Sequence, residues 1–166
     1  MKFLIVTHVV HKKIGNHYFA YGPYVKEMNL WFNHVSEVLV LAPVRIDSAP
    51  DPIDLPYNHP QIAFYPVPEF DLLRWESRLS TLFKLPLILA KTFFAMTLAD
   101  HIHLRCPGNM GLLGAMVQIF FPWKKKTAKY AGNWDPQSNQ PASYRLQQKI
   151  IANSWFTRNM KVLVYG

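Results

Sequence analysis

Lys2 to Val9, KFLIVTHV, is a continuous run of apolar and β-branched residues. Such a run has no polar face to offer to water, the pattern of a strand covered by helices on both sides. That requirement constrains everything downstream, because helices long enough to cover both faces must come from the rest of the chain. Alternation of strands with helical segments is the arrangement that supplies them.

The sequence shows that alternation. After a loop at HKKIGNH, Pro23 suits a first helical turn, and Val25, Met28, Trp31, Phe32 and Val35 fall at helical spacing. EVLVLAP from Glu37 is a second buried strand, closed by Pro43, and QIAFYPV from Gln61 is a third, reached through an extended loop holding Pro50, Pro52, Pro56 and Pro60. Asp71 is placed to cap a helix whose Leu72, Trp75, Leu79 and Leu82 share a face, with Pro86 breaking it or starting another through Leu98. HIHLRC is a fourth strand, and after the Pro107-Gly108 turn Asn109 caps a nearly all-apolar helix to Phe121, in which Gly111 and Gly114 allow close approach to a sheet. Lys126 to Ala131 is a fifth strand. Tyr144 to Phe156 is a helix with Leu146, Ile150, Ile151 and Trp155 on one side, and MKVLVYG is a sixth strand. Right-handed crossovers then give one α/β domain, residues 1–166, with a mostly parallel six-stranded sheet between two helix layers.

Composition supports a folded chain and narrows its partners. Half of the 166 residues are hydrophobic and 17% are charged, a ratio at which burial offsets chain entropy. Eighteen Lys and Arg against ten Asp and Glu give a formal charge of +8, which favours phosphates, acidic lipid or nucleic acid. One cysteine, Cys106, leaves no internal disulfide, and a reducing compartment is the simpler setting. The first apolar run lacks a cleavage site and contains His8, so it is not a signal peptide; LPLILAKTFFAMTLA from Leu85 is too short to span and carries Lys91.

In open parallel sheets, ligands bind outside the carboxyl ends of the strands, where strand order reverses. His103, Arg105 and Asn109 fall at that end, and a helix N-terminus there offers N–H groups to an anion. His103 and Arg105 share a strand face; the competing reading of His103 is an ordinary core histidine. Gly15 in the first loop lets backbone approach a phosphate, with Lys12 and Lys13 for charge or simply solvated. Gly132 and Asn133 tolerate unusual backbone geometry after strand five, and Asp135 is the one acid placed at a strand's carboxyl end, unless it is a turn residue before Pro136. No catalytic residue follows from these positions alone. His101, His103 and Cys106 lack a further partner at metal-ligand spacing, so no metal is expected. G-x-G-x-x-G, Walker, H-E-x-x-H and G-x-S-x-G motifs are absent. Lys124 to Lys126 precede strand five on the opposite edge, a solvated or lipid-facing position rather than a nucleic-acid patch. The segment from Asp71 to Leu98 mixes Arg74, Arg78, Lys84 and Lys91 with Trp75, Phe83, Phe93 and Phe94, as in a helix lying on an anionic membrane or a core helix with a basic outer face.

KFLIVTHV, the glycine-bearing loop, YGPYVKEMNLWFNHVSEVLVLAP, ADHIHLRCPGNMGLLGAM and KTAKYAGNWD together resemble the amino-terminal domain of glycosyltransferase family 4 enzymes of the GT-B fold, over nearly the whole chain. Asn33-His34 stands where that family has Gly-His, and the family's Glu-containing donor motif is absent. The resemblance implies a Rossmann-like half that binds a polysaccharide or lipid-linked acceptor and closes over a nucleotide sugar held by a carboxyl-terminal half. Gly15 and Asn16 would approach the donor diphosphate, and His103 would face the transferred sugar. The nucleotide sugar is a substrate, so no resident cofactor is implied. A cytoplasmic enzyme at the inner face of the membrane is expected, inactive without its carboxyl-terminal donor domain, with an exposed cleft edge that favours a homodimer. The alternative is a non-catalytic nucleotide- or anion-binding module.

Overall fold

A computed structural model describes residues 1–47, 49–70, 78–135 and 137–164, with the backbone alone for 78–82. The element order is β1 (Lys2–Val6), β2 (His11–Ile14), β3 (His17–Tyr21), α1 (Gly22–Phe32), β4 (Glu37–Ile46), β5 (Asp54–Pro56), β6 (Ile62–Val67), α2 (Arg78–Leu98), β7 (His101–Cys106), α3 (Asn109–Val117), β8 (Lys125–Tyr130), α4 (Ala142–Ala152) and β9 (Met160–Val164). The fold is α/β with a mixed, mostly parallel sheet.

Among the described residues the sheet has nine strands where six were expected. Six run parallel in the order β6-β4-β1-β7-β8-β9, and these are the six apolar runs of the sequence. The other three form an antiparallel lobe, β2-β3-β5, that joins through a parallel pairing of β2 with the far end of β4. The lobe exists because β4 does not stop at Pro43. Val6 of β1 lies opposite Leu41, and His11 of β2 opposite Val44, so the proline, which has no N–H, sits where β4 changes partner. The expected HKKIGNH loop is therefore a two-residue hairpin, with Gly15 left-handed (φ 56°) at its first central position.

Side chains alternate across the strands into two cores. Leu4, Val6, Ile102 and Leu104 pack with Ile88 and Met96 of α2, Met110 and Leu113 of α3 and Ile151 of α4. Phe3, Ile5, Val38 and Val40 pack on the other face with Val25, Met28 and Phe32 of α1. Among the described residues, one helix thus covers one face and three cover the other.

Several local expectations shift. α2 continues through Pro86 to Leu98, held to the sheet by Ile88, Ala95 and Met96. α3 ends at Val117 and tightens into a 3-10 turn over Gln118–Phe120. Its N-cap is Gly108 with no side-chain cap bond, and Asn109, in the first turn, donates from Nδ2 to the Phe70 carbonyl at 3.3 Å. α4 buries Gln147, Gln148 and Ile151, while Leu146 and Trp155 are exposed. The helix is turned this way because the Gln147 amide serves the β7–α3 junction: Nε2 donates to Cys106 Sγ at 3.0 Å and Oε1 accepts from Gly108 N–H at 3.3 Å.

The lysine run is also mostly structural. Lys124 Nζ donates to the carbonyls of Met96, Thr97 and Ala99 at the end of α2. Lys126, 2% exposed, donates to the Phe121 carbonyl at 2.8 Å, and burial pushes its pKa down to about 8. Both ammonium groups satisfy carbonyls that helix ends leave open. Only Lys125 is exposed as expected. Asp71, Leu72, Arg74, Trp75 and Pro136, and the side chains of Arg78, Leu79 and Leu82, lie outside the described residues. Among the described residues, no helix is long and apolar enough to cross a membrane.

Candidate functional site

Strand β1 lies between β4 and β7, and its chain continues to α1 on one face while β7 continues to α3 on the other. The carboxyl ends of β1, β7 and β8 on the α1 side therefore form a crevice at the reversal of strand order. Period-two alternation puts His101, His103 and Arg105 on this face and buries Ile102, Leu104 and Cys106 on the other. By the same register Lys129 of β8 stands directly beside Arg105.

These two cations converge on one acid. Arg105 Nη1 donates to Glu27 Oε2 at 2.9 Å, and Lys129 Nζ lies 2.7 Å from Glu27 Oε1. Glu27 projects from α1, which also places the Tyr24 ring 5.1 Å beneath the Arg105 guanidinium. The three charged side chains are only 16–20% exposed, so they are weakly screened. His8 follows β1 at the same edge. A Cβ added at Gly108 would stand 2.6 Å from His8 Nδ1, so the glycine admits the imidazole against the β7–α3 turn. Burial and then Arg105 hold the His8 pKa below its usual value, which keeps the ring neutral near pH 7.

His103 lies one pleat below this mouth. It is fully buried, with ring centroids 5.0 Å from Trp31 and 5.7 Å from Phe3, and neither ring nitrogen has a hydrogen-bond partner. Burial first, then His101, Arg105 and Lys129, push its pKa down to about 3. It is a neutral core group sealed by α1. His101 is half-buried, with Nε2 2.7 Å from Thr127 Oγ1.

The other expected site residues divide. Gly132 packs at the ends of β7 and β8, where an added Cβ would lie 3.1 Å from Pro107 Cγ. Asn133 and Asp135 close local turns: Asn133 Oδ1 accepts from Asp135 N–H at 2.8 Å, and Asp135 Oδ1 accepts from Gln137 N–H at 2.9 Å. Their loop leans on α4, where Gln148 Nε2 donates to the Asn133 carbonyl at 2.9 Å and Trp134 lines a cavity of about 170 Å³ with Arg145 and Lys149. Gly15 and Asn16 cap the β2–β3 hairpin. Lys13 pairs with Ile46, five residues past Leu41, which puts the tip roughly 16 Å beyond the end of β1. Lys12 is not free for a ligand there, because its Nζ is engaged by Asp51 and by Asp54 at 2.7 Å. The mouth thus brings Arg105 near Gly132, with His103 beneath, and leaves Gly15, Asn16, Asn109, Asn133 and Asp135 in other settings.

Glu27, Lys129 and His8 were not singled out from sequence. Signals that could have found two of them are that Lys129 is the penultimate residue of its strand, as Arg105 is, and that Glu27 is the only acid among the first 36 residues. A second concavity, about 400 Å³, lies at the amino end of the same face between Phe3, Trp31, Val35 and His101. Among the described residues, no group of three or more His, Cys, Asp or Glu is placed to hold a metal ion. Comparison with protein-family models, with curated proteins and with solved structures returns no match.

Proposed function

We propose that this chain is the Rossmann-like, amino-terminal unit of a glycosyltransferase that moves a sugar from a nucleotide-sugar donor to a polysaccharide or lipid-linked acceptor, and that an anionic group of one substrate seats against Arg105 and Lys129. The observation that carries the reading is this cation pair meeting at the Glu27 carboxylate in the β1/β7 crevice. Support also comes from the parallel order β6-β4-β1-β7-β8-β9, the order of doubly wound nucleotide-binding sheets. The incoming anion displaces Glu27 as the partner of the guanidinium, which offers two parallel donors to phosphate or carboxylate oxygens. Charge stabilisation is then this unit's contribution, and bond-breaking chemistry requires groups from a second unit.

A second reading, a non-catalytic anion-binding module, is favoured by one specific feature. The Asp135 carboxylate is turned onto its own backbone and His103 is sealed, so among the described residues the mouth offers only Glu27 and His8 as a general base.

Calorimetry with UDP-glucose, UDP, pyrophosphate and a set of oligosaccharides tests both. Diphosphate binding weakened about tenfold by Arg105→Gln or Lys129→Gln, and unchanged by Asn16→Ala, is expected. Oligosaccharide binding in addition selects the transferase unit, and its absence selects the module. No diphosphate binding, or equal loss with Asn16→Ala, would overturn the site.

A further inference from the structure

The amino end of the molecule, opposite the mouth, carries an exposed aromatic surface assembled from three separate segments. α2 contributes Phe93, the turn before β8 contributes Phe120 and Trp123, and the turn before β9 contributes Trp155 and Phe156. Trp155, Trp123 and Phe120 are 78%, 68% and 66% exposed. The segments form one continuous end. The Phe93 and Phe120 rings are 6.4 Å apart, Gln118 Nε2 donates to the Phe156 carbonyl at 2.9 Å, and Asn159 Nδ2 donates to the Pro122 carbonyl at 2.9 Å.

Charge within the three aromatic segments has one sign. Residues 93–98, 116–125 and 153–161 contain Lys124, Lys125, Arg158 and Lys161 and no Asp or Glu. Two acids lie at the same end outside them: Asp100, which acts on Lys124 and accepts from the Lys2 N–H at 2.7 Å, and Glu37, whose carboxylate lies 3.2 Å from Lys2 Nζ. Lys124 is engaged by the end of α2, whereas Lys125, Arg158 and Lys161 have no acidic partner among the described residues. The Arg158 guanidinium lies 5.7 Å from the Trp155 ring centroid.

We propose that this amino end docks on an anionic lipid surface, with Phe120, Trp123 and Trp155 entering the headgroup boundary and Lys125, Arg158 and Lys161 meeting the lipid phosphates. The composition decides the occupant. Protein interfaces are depleted of lysine around their aromatic core, while tryptophan and phenylalanine ringed by lysine and arginine is the chemistry of interfacial membrane binding. Docking this way points the carboxyl-end mouth away from the bilayer by about the length of a strand, roughly 20 Å for the six residues of β8. The inference does not depend on the proposed reaction.

Vesicle co-sedimentation tests it, using phosphatidylcholine alone and phosphatidylcholine with roughly a third phosphatidylglycerol. Binding to the anionic vesicles only is expected, with a blue shift of tryptophan emission. Phe120→Ser with Trp123→Ser, and separately Lys125→Gln with Arg158→Gln and Lys161→Gln, should each lower the partition coefficient about tenfold while circular dichroism and melting temperature stay unchanged. No binding to anionic vesicles would overturn the proposal. So would binding that survives the aromatic substitutions, or a homodimer that the same substitutions dissolve.

Discussion

Replacing His103 by leucine separates a sealed core histidine from a titrating site residue. The ring is fully buried under Trp31 with both nitrogens unpartnered, and its pKa stands at about 3 against 6.5 in an unfolded chain. Near neutral pH neither state is protonated. Leucine then gives up the ring contacts with Trp31 and Phe3 but removes two unsatisfied polar atoms, so stability should change by no more than about 1 kcal/mol. Acid breaks the balance. Between about pH 6.5 and pH 3 the unfolded chain binds a proton at this position that the folded chain does not, so wild-type stability falls as pH is lowered through that window. From about pH 6.5 to about pH 4.5 the loss amounts to roughly 2–3 kcal/mol, at about 1.4 kcal/mol per pH unit. His11, with a pKa lowered to about 4 by burial, adds its own loss, which cancels when variant and wild type are compared at each pH. Urea unfolding of both proteins near pH 7 and near pH 4.5 measures the double difference. His103→Leu should gain roughly 2–3 kcal/mol relative to wild type on acidification. A gap that stays constant across the two pH values would refute the sealed, neutral imidazole.

Three further outcomes are expected. Gly111→Ala would put a Cβ 2.6 Å from the Arg105 carbonyl and 2.5 Å from Gln147 Nε2; it should destabilise by about 1–3 kcal/mol in urea unfolding, and a neutral result would contradict the close α3–β7 contact. Lys126 holds a lowered pKa, so the folded state binds fewer protons than the unfolded one between about pH 8 and pH 10.5 and wild-type stability rises with pH there. Unfolding of wild type against Lys126→Met should show a relative gain of roughly 2–3 kcal/mol for wild type across that window, and a flat difference would place the ammonium group in solvent. Glu27→Gln removes the carboxylate that Arg105 and Lys129 share; pyrophosphate affinity in calorimetry should rise severalfold and become more salt-sensitive, whereas a fall would mean that Glu27 contacts the ligand directly.

The parallel half of the sheet was legible because strands buried on both faces leave unbroken apolar runs such as KFLIV and EVLVLA. The antiparallel lobe was not, because HKKI and HYFAY are short and half-polar, and Pro43 has the look of a terminator until β1 is seen to end just before it. Arg105 could be read from period-two alternation. Its partner Glu27 is 78 residues away, and the pair forms only once α1 is laid across β7. His103 was drawn to the mouth by the same alternation, and the residue that removes it is Trp31, whose position over the ring depends on tertiary packing. Over Tyr144 to Phe156 the apolar spacing pointed to Leu146 and Trp155 as inward, but α4 ends at Ala152, before Trp155, and turns to deliver the Gln147 amide to Cys106 and Gly108, a polar demand that hydrophobic periodicity does not register.

The direct test of an anion site at the β1/β7 crevice is amide chemical-shift mapping of the isotope-labelled chain during titration with UDP and with pyrophosphate. Shifts concentrated at Thr7 and His8, Tyr24 to Glu27, Arg105 to Gly108 and Lys129 to Gly132 are the expected result. Shifts centred on the hairpin tip at Gly15 and Asn16, or none at saturating ligand, would contradict it.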